Sequence, residues 1–268
     1  MINYQNTLKW WQTIKISWVK HTAYRLNFFL QIIGPALVFF FVKYNLWTSI
    51  FNQSNETIIQ GYNLKQMITY HAWAFIISLI AQGHGSWNLS EDIRMGRISS
   101  YLIYPFNFWE FHTASFLSFQ SIQLIIAGFT LFLFSFLNII APFTTQLLLT
   151  GVLFTLYVSF FWYLTQFFTG LLAFWLEETW ILRVMLQIIA VFLSGAIIPL
   201  ELYPEWLVDI LNFTPFPYLS YYPIQIMMGR EVSLINGIGI IGFWIVFLIF
   251  VNRLIWKRGL KLYTAAGM

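Results

Sequence analysis

The chain has 268 residues, of which 59% are apolar and only 24 are charged: 14 basic and 10 acidic. Soluble domains carry about a quarter charged residues, so the composition excludes a soluble globule and predicts an integral membrane protein. The lack of cysteine excludes disulfides, thiolate catalysis and iron–sulfur clusters. No Gly-Lys dipeptide is present to build a Walker A phosphate loop.

Charge-free runs predict the membrane spans, and they cover residues 26–42, 66–90, 111–176, 184–200 and 232–252. One helix over residues 111–176 would be about 100 Å long, against a hydrocarbon core of about 30 Å. We therefore expect this run to fold back at its polar, proline-containing stretch, residues 138–146. The sequence predicts an all-α membrane protein of one domain, residues 1–268, with six transmembrane helices at about 24–43, 66–89, 111–137, 146–176, 181–199 and 233–256.

Basic residues predict the orientation of these helices. With the N-terminus inside, eleven Lys and Arg lie in inside segments, and only Lys43, Lys65 and Arg230 lie outside. This asymmetry is typical of proteins whose positively charged loops stay in the cytoplasm, so both termini are expected there. Because topology explains the net charge of +4, we expect no nucleic-acid partner.

Residues 1–22 predict an amphipathic helix that lies on the inner leaflet. Leu8, Trp11, Ile14 and Trp18 recur at helical spacing, while lysines fall on other faces. The alternative is a frayed cytosolic tail.

Groups for catalysis are sparse. His71 and His84 are 13 residues apart, which is not the spacing of a zinc-binding helix. We expect no catalytic residue, no metal site and no cofactor in this chain. Every Asp and Glu falls at a predicted helix end or in a loop, whereas ion-driven carriers need charges at mid-membrane. Glutamines within the spans either join helices or line a substrate path.

One polar segment, residues 90–105, predicts a helical elbow on the cytoplasmic side. Acidic residues precede basic ones, as the helix dipole favours, a glycine permits a break, and a proline ends the segment. Its apolar side chains either contact a protein partner or rest on lipid. The candidate functional residues are Glu91, Asp92, Arg94, Gly96, Arg97, Ile98, Leu102 and Pro105.

A second segment, residues 195–229, lies between the fifth and sixth predicted spans. Closely spaced prolines stop a helix from crossing here, yet residues 206–211 are too apolar for open water. Short helices in a re-entrant outer segment fit best, surrounded by protein or a wet cavity. The candidate residues are Gly195, Pro199, Pro204, Trp206, Pro215 and Pro217.

These two segments carry a family resemblance. Residues 96–105 fit Gly-Arg-x-x-x-x-Leu-x-x-Pro, which resembles the coupling segment of type-2 ABC exporter permeases. Residues 194–199 with 203–206 resemble the motif before that family's last span. The resemblance extends over essentially the whole chain, and is closest to bacterial permeases of uncharacterised substrate that often pair with a different permease.

The resemblance implies a permease subunit in the bacterial inner membrane. It implies cytosolic ABC ATPase partners that bind ATP and Mg²⁺, and a second permease, more often a different chain than a second copy. ATP binding would move the elbow, and substrate would move outward or from the inner to the outer leaflet of the membrane lipid that surrounds the permease. The apolar spans favour an amphipathic cargo.

In this interpretation the charged residues of the elbow fix it against the ATPase, while Ile98 and Leu102 fill a groove on that partner. Two alternatives stay open from the sequence. One is a membrane enzyme that acts on lipid head groups through His71 or His84, and the other is an ATP-independent carrier.

Overall fold

The computed structural model of the protein describes residues 4–23, 25–54, 57–82, 89–103 and 107–263. These ranges are helical apart from turns and one β-bridge between Ile59 and Tyr62, so the all-α prediction is confirmed for them. Two 3₁₀ turns, Leu172–Phe174 and Leu200–Leu202, accompany the α-helices. The helices are α1 (Tyr4–Thr22), α2 (Arg25–Ser54), α3 (Leu64–Ala81), α4 (Leu89–Arg94), α5 (Ile98–Ile103), α6 (Phe108–Phe136), α7 (Thr145–Leu171), α8 (Trp180–Leu193), α9 (Glu205–Leu211), α10 (Phe216–Leu219), α11 (Tyr221–Met227) and α12 (Leu234–Leu262).

The helix bundle has two ends, which we name by their contents. The elbow end carries α4, which contacts the last turn of α7 and the segment that follows it, and α5, which contacts α6. The cluster end carries the turn at residues 59–62 together with α11. Helix α3 joins the two ends, because it begins beside that turn and runs toward the elbow.

Three helices are long and apolar enough to cross a bilayer within the described part of the chain: Phe108–Phe136, Thr145–Phe174 and Leu234–Leu262. Each has 29 or 30 residues, or about 45 Å of helix against a hydrocarbon core of about 30 Å. The other predicted spans coincide with α2, α3 and α8. Helix α8 has only 14 residues, about 21 Å, so the count of six spans stays a prediction.

The predicted reversal within residues 111–176 is confirmed. Helix α6 ends at Phe136, Asn138 adopts a positive φ of 54°, and α7 begins at Thr145. The Thr144 side chain caps α7 by accepting a hydrogen bond from the Leu147 amide at 3.3 Å. The structure differs at the end of α2, which runs on to Ser54 through residues expected to lie in a loop.

Helix α3 lies at the centre of one of two hydrophobic cores. Its residues from Thr69 to Ile77 are all buried, and Trp73 packs against Phe143 in the connection between α6 and α7. A helix buried on every side must be surrounded by other helices, and α3 packs against α2, α6, α7 and α11. The second core lies between α7 and α12 and contains Trp162 and Phe167.

The N-terminal helix forms as predicted, but it is not a free surface helix. Helix α1 packs along α6, and Trp18 packs against the core around α3. Leu8 and Trp11 stay exposed together with Val19. Its placement on a membrane surface remains a prediction.

Gly259 marks a close approach that a stability measurement can test. A methyl group there would overlap the ring of Phe174, whereas Gly239 on the same helix faces open space. We expect Gly259→Ala to lower the stability of the detergent-solubilised protein by about 1–3 kcal/mol through overpacking. Gly239→Ala should be neutral or stabilising, because alanine favours helix. Equal thermal unfolding midpoints for the two variants would contradict the packing of α12 on this turn.

Candidate functional site

The predicted elbow consists of two short helices, α4 and α5, joined by residues 95–97. Gly96 has a φ of +71° at the joint, a conformation that other residues adopt only at a cost of about 1–2 kcal/mol. The Ser99 hydroxyl then donates a hydrogen bond to the Gly96 carbonyl at 2.7 Å, which closes the start of α5. The backbone therefore needs glycine at the bend.

Polar contacts tie α4 to the joint of the elbow and to α5. The Arg97 guanidinium lies 3.2 Å from carboxylate oxygens of both Glu91 and Asp92. The Tyr101 hydroxyl donates a hydrogen bond to the other Asp92 oxygen at 3.4 Å. Burial raises the pKa of Asp92, although Arg97 and Tyr101 favour its charged form. Four of the side chains of the elbow are thus committed to its internal geometry.

The elbow is also fixed to the end of helix α7. Leu89 is fully buried and lies against Gly170, where any larger residue would overlap it. Arg94 donates hydrogen bonds of 2.9 Å to the Glu178 carboxylate and to the Glu177 carbonyl. Arg183 reaches the Ser90 hydroxyl at 3.5 Å. One apolar contact and these polar contacts therefore tie α4 to the end of α7, to the segment after α7 and to the start of α8.

The exposed surface of the elbow differs from the predicted one. Ile98 is fully buried in this chain's own core, so it offers no surface to the groove of a partner. The Leu102 side chain and Pro105 lie outside the described residues. The side chains at the tip are Arg94, Met95 and Arg97, and Met95 is 57% exposed.

At the opposite end, the segment predicted to be re-entrant forms short helices, as expected. Helix α8 stops at Leu193, and Gly195 turns the chain with a φ of +76° while its carbonyl accepts a 2.6 Å hydrogen bond from the Tyr70 hydroxyl. The remaining candidates shape the turns or the surface: Pro199 and Pro204 precede the 3₁₀ turn and α9, Pro215 precedes α10, Pro217 is buried, and Trp206 is 65% exposed.

Five side chains at this end form what we call the polar cluster: Tyr62, Glu201, Tyr221, Gln225 and Arg230. One oxygen of Glu201 accepts hydrogen bonds of 2.9 Å from Tyr62, 2.9 Å from Tyr221 and 3.1 Å from Gln225. Arg230 lies 3.6 Å from the same oxygen and stacks over the Tyr62 ring at 3.7 Å. Burial raises the pKa of both tyrosines, so their hydroxyls keep the protons that they donate.

The polar cluster depends on a tight turn that sequence reasoning did not identify. Gln60 and Gly61 both have positive φ, and Ile59 and Tyr62 exchange two backbone hydrogen bonds of 2.9 and 3.0 Å. This is the geometry of a type I′ turn. It holds Tyr62 over the start of α3. The signal for this turn in the sequence is its amide–glycine pair, Gln60-Gly61.

Sequence reasoning also missed a buried pair between α2 and α3. The Lys43 side chain is buried: its ammonium lies 3.1 Å from His71 Nδ1 and donates to the Ala196 carbonyl. The His71 ring stacks on Trp47 at 5.8 Å. These contacts give His71 a packing role, and within the described residues no group of His, Asp or Glu could hold a metal. His84 lies outside those residues.

The long apolar helices, with the elbow docked at one end of the bundle, define a helical membrane protein. The sequence model of a family described as ABC-2 family transporter protein matches residues 26–267. The chain therefore belongs to the ABC-2 transporter family, as the resemblance predicted. A comparison with curated proteins gives no match.

Membership in this family decides two predictions. The membrane components of ABC-2 transporters lack ATPase activity of their own, so the chain is not an enzyme. They work with ABC ATPase partners. The chain is thus the membrane component of an ABC transporter.

The polar cluster makes a stability prediction. Glu201→Ala should lower the stability of the solubilised protein by about 2–3 kcal/mol, because it leaves three donors without their acceptor. Glu205→Ala is the matched control, since that carboxylate is exposed on α9. Thermal unfolding of the two variants in the same detergent measures the difference. A cluster that contributed nothing would give both variants the wild-type midpoint.

Proposed function

We propose that the chain is the permease subunit of an ATP-driven exporter, in which the elbow receives the movement of a separate cytosolic ATPase. Family membership supports the assignment to an ABC transporter. The docking of the elbow on the end of α7 supports the elbow as the element that the ATPase moves. The proposal keeps the six-span topology, with both termini in the cytoplasm of a bacterium.

The contacts of the elbow supply the mechanical path. The Leu89–Gly170 contact and the pair between Arg94 and Glu178 tie α4 to the end of α7. Helix α7 packs in turn against α3, α11 and α12. A push on the elbow is therefore passed to α7 and the helices around it, because close-packed interiors transmit displacement.

The tip of the elbow is the surface that we assign to the ATPase. Met95 is an exposed, unbranched apolar side chain that fits an irregular pocket. Arg94 and Arg97 flank it, with 43% and 51% of their side chains exposed, and charges at a rim set association and register more than affinity. Met95 thus takes the anchoring role first expected of Ile98.

The orientation rests on the charges at the elbow end. The last turns of α12 carry Arg253, Lys257, Arg258 and Lys261, and they lie at the elbow end because Trp256 contacts Phe174 at 5.8 Å between ring centres. Positive charge concentrated at one end favours the cytoplasmic side for that end.

A complete transporter in this proposal contains two permeases and two ATPases. The ATPases bind ATP and Mg²⁺, and this chain binds neither. A single bundle offers one wall of a path, so a second permease is needed, and we favour a different chain over a second copy.

Labelling of single cysteines tests the topology, since the native chain has no cysteine. Asp209→Cys on exposed α9 should react with an impermeant maleimide in intact cells, and Ser100→Cys on the exposed side of α5 should react only after the cells are opened. Labelling of Ser100→Cys from outside would overturn both the six-span topology and the coupling role.

Co-purification of the ATPase tests the elbow surface. Met95→Glu should lower the amount of bound ATPase at least about tenfold, equivalent to about 1.4 kcal/mol, because a carboxylate replaces an apolar anchor. Met95→Leu keeps the apolar volume and should retain binding. If Met95→Glu binds and stimulates the ATPase like the wild type, the tip is not the contact surface.

A further inference from the structure

A cavity of about 330 Å³ opens at the cluster end, beside the polar cluster. It lies between the first turns of α3, the connector before α7, and the end of α11. Its lining includes two basic side chains, Lys65 and Arg230, and two partly exposed apolar ones, Leu147 and Met228. Its volume is at the lower end of the range for small-molecule sites.

The polar part of this cavity carries positive charge and no negative charge. Lys65 and Arg230 line it, and no Asp or Glu does. Arg230 is already held by Glu201 and by the Gly61 carbonyl at 3.0 Å. Lys65 makes no ion pair among the described residues and is exposed. A cation without a counter-ion in a cavity attracts an anionic ligand group.

The other part of the cavity is apolar. The Trp73 side chain is only 1% exposed, so the accessible apolar wall consists of Leu147 on α7 and Met228 at the end of α11, which are both half-buried. Leucine and methionine suit the apolar body of a ligand, because burial of hydrocarbon is favourable and a thioether adapts to irregular shapes. A wholly polar anion would leave this part unfilled.

A neighbouring cavity has the opposite charge. It measures about 550 Å³ and is lined by four acidic residues and no basic one: Glu201, Glu205, Asp209 and Glu231. Arg230 lines the first cavity and Glu201 lines the second, so their 3.6 Å pair lies between the two. This separation directs an anionic ligand to the cavity of Lys65 and away from its neighbour.

We infer that the Lys65 cavity binds the anionic head group of an amphiphile, with the phosphate or carboxylate at Lys65 and the adjoining hydrocarbon against Leu147 and Met228. The site goes beyond the proposed coupling function, because binding requires neither ATP nor the ATPase. It gives the membrane component a ligand preference of its own at the end remote from the elbow.

Equilibrium binding of lysophosphatidic acid to the purified full chain, in a neutral maltoside detergent, tests the inference. Lys65→Gln should weaken binding about tenfold, the usual loss for one hydrogen bond to a charged group, and Lys65→Glu should weaken it further. Lys257→Gln removes an exposed lysine at the elbow end and should leave binding unchanged.

Two further probes separate the sources of affinity. Inorganic phosphate, which lacks the hydrocarbon, and lysophosphatidylcholine, which lacks the net charge, should both bind more weakly than lysophosphatidic acid. Equal binding of inorganic phosphate would overturn the apolar part of the assignment, and equal binding of lysophosphatidylcholine would overturn the charged part. Lack of any effect of Lys65→Glu would overturn the site. The assay contains no ATPase, so its failure would leave the coupling proposal intact.

Discussion

Polar groups inside a bilayer must find their partners within the protein, because hydrocarbon offers none, and this constraint shapes the whole chain. Between the two ends, polar side chains reach backbone carbonyls: Gln120 donates to Ile80 at 3.0 Å, and Asn252 donates to Leu164 at 3.0 Å. Four ion pairs of the described residues lie at the two ends: three involve the elbow and one lies in the polar cluster. These charged side chains thus form two groups, joined by helices that are mostly apolar.

The elbow and the polar cluster have different consequences. In the elbow, Arg97 at the joint pairs with two carboxylates of α4, while Arg94 binds the segment after α7. The elbow and α7 therefore behave as one body in the proposed mechanism. At the cluster end, Glu201 joins the turn before α3 to α11 and to Arg230. Helices α3 and α7 run between these ends and pack against each other. A movement that begins at the elbow would therefore displace the walls of the cavities beside the polar cluster.

Sequence reasoning predicted the features that are local. Charge-free runs located the long helices, the polar stretch 138–146 located the reversal between α6 and α7, and glycine at position 96 located the bend of the elbow. The contacts that depend on distant packing were not predictable. Lys43 and His71 are 28 residues apart, and Tyr62 and Glu201 are 139 residues apart. The sequence around each of these residues does not indicate its partner. The burial of Ile98 was missed because a six-residue helix is too short to show which face is apolar.

In the proposed mechanism, the elbow and α7 move together when the ATPase closes. Arg94→Cys with Glu178→Cys, in a chain without native cysteine, allows a short bifunctional maleimide to lock the two segments together at their observed ion pair. The ATPase rate of the assembled transporter is then compared before and after cross-linking. We expect the locked complex to keep the ATPase rate that the same variant has before cross-linking, because the lock preserves an arrangement that already moves as a unit. A locked complex whose rate falls to that of the ATPase alone would contradict it, since the elbow would then have to move against α7.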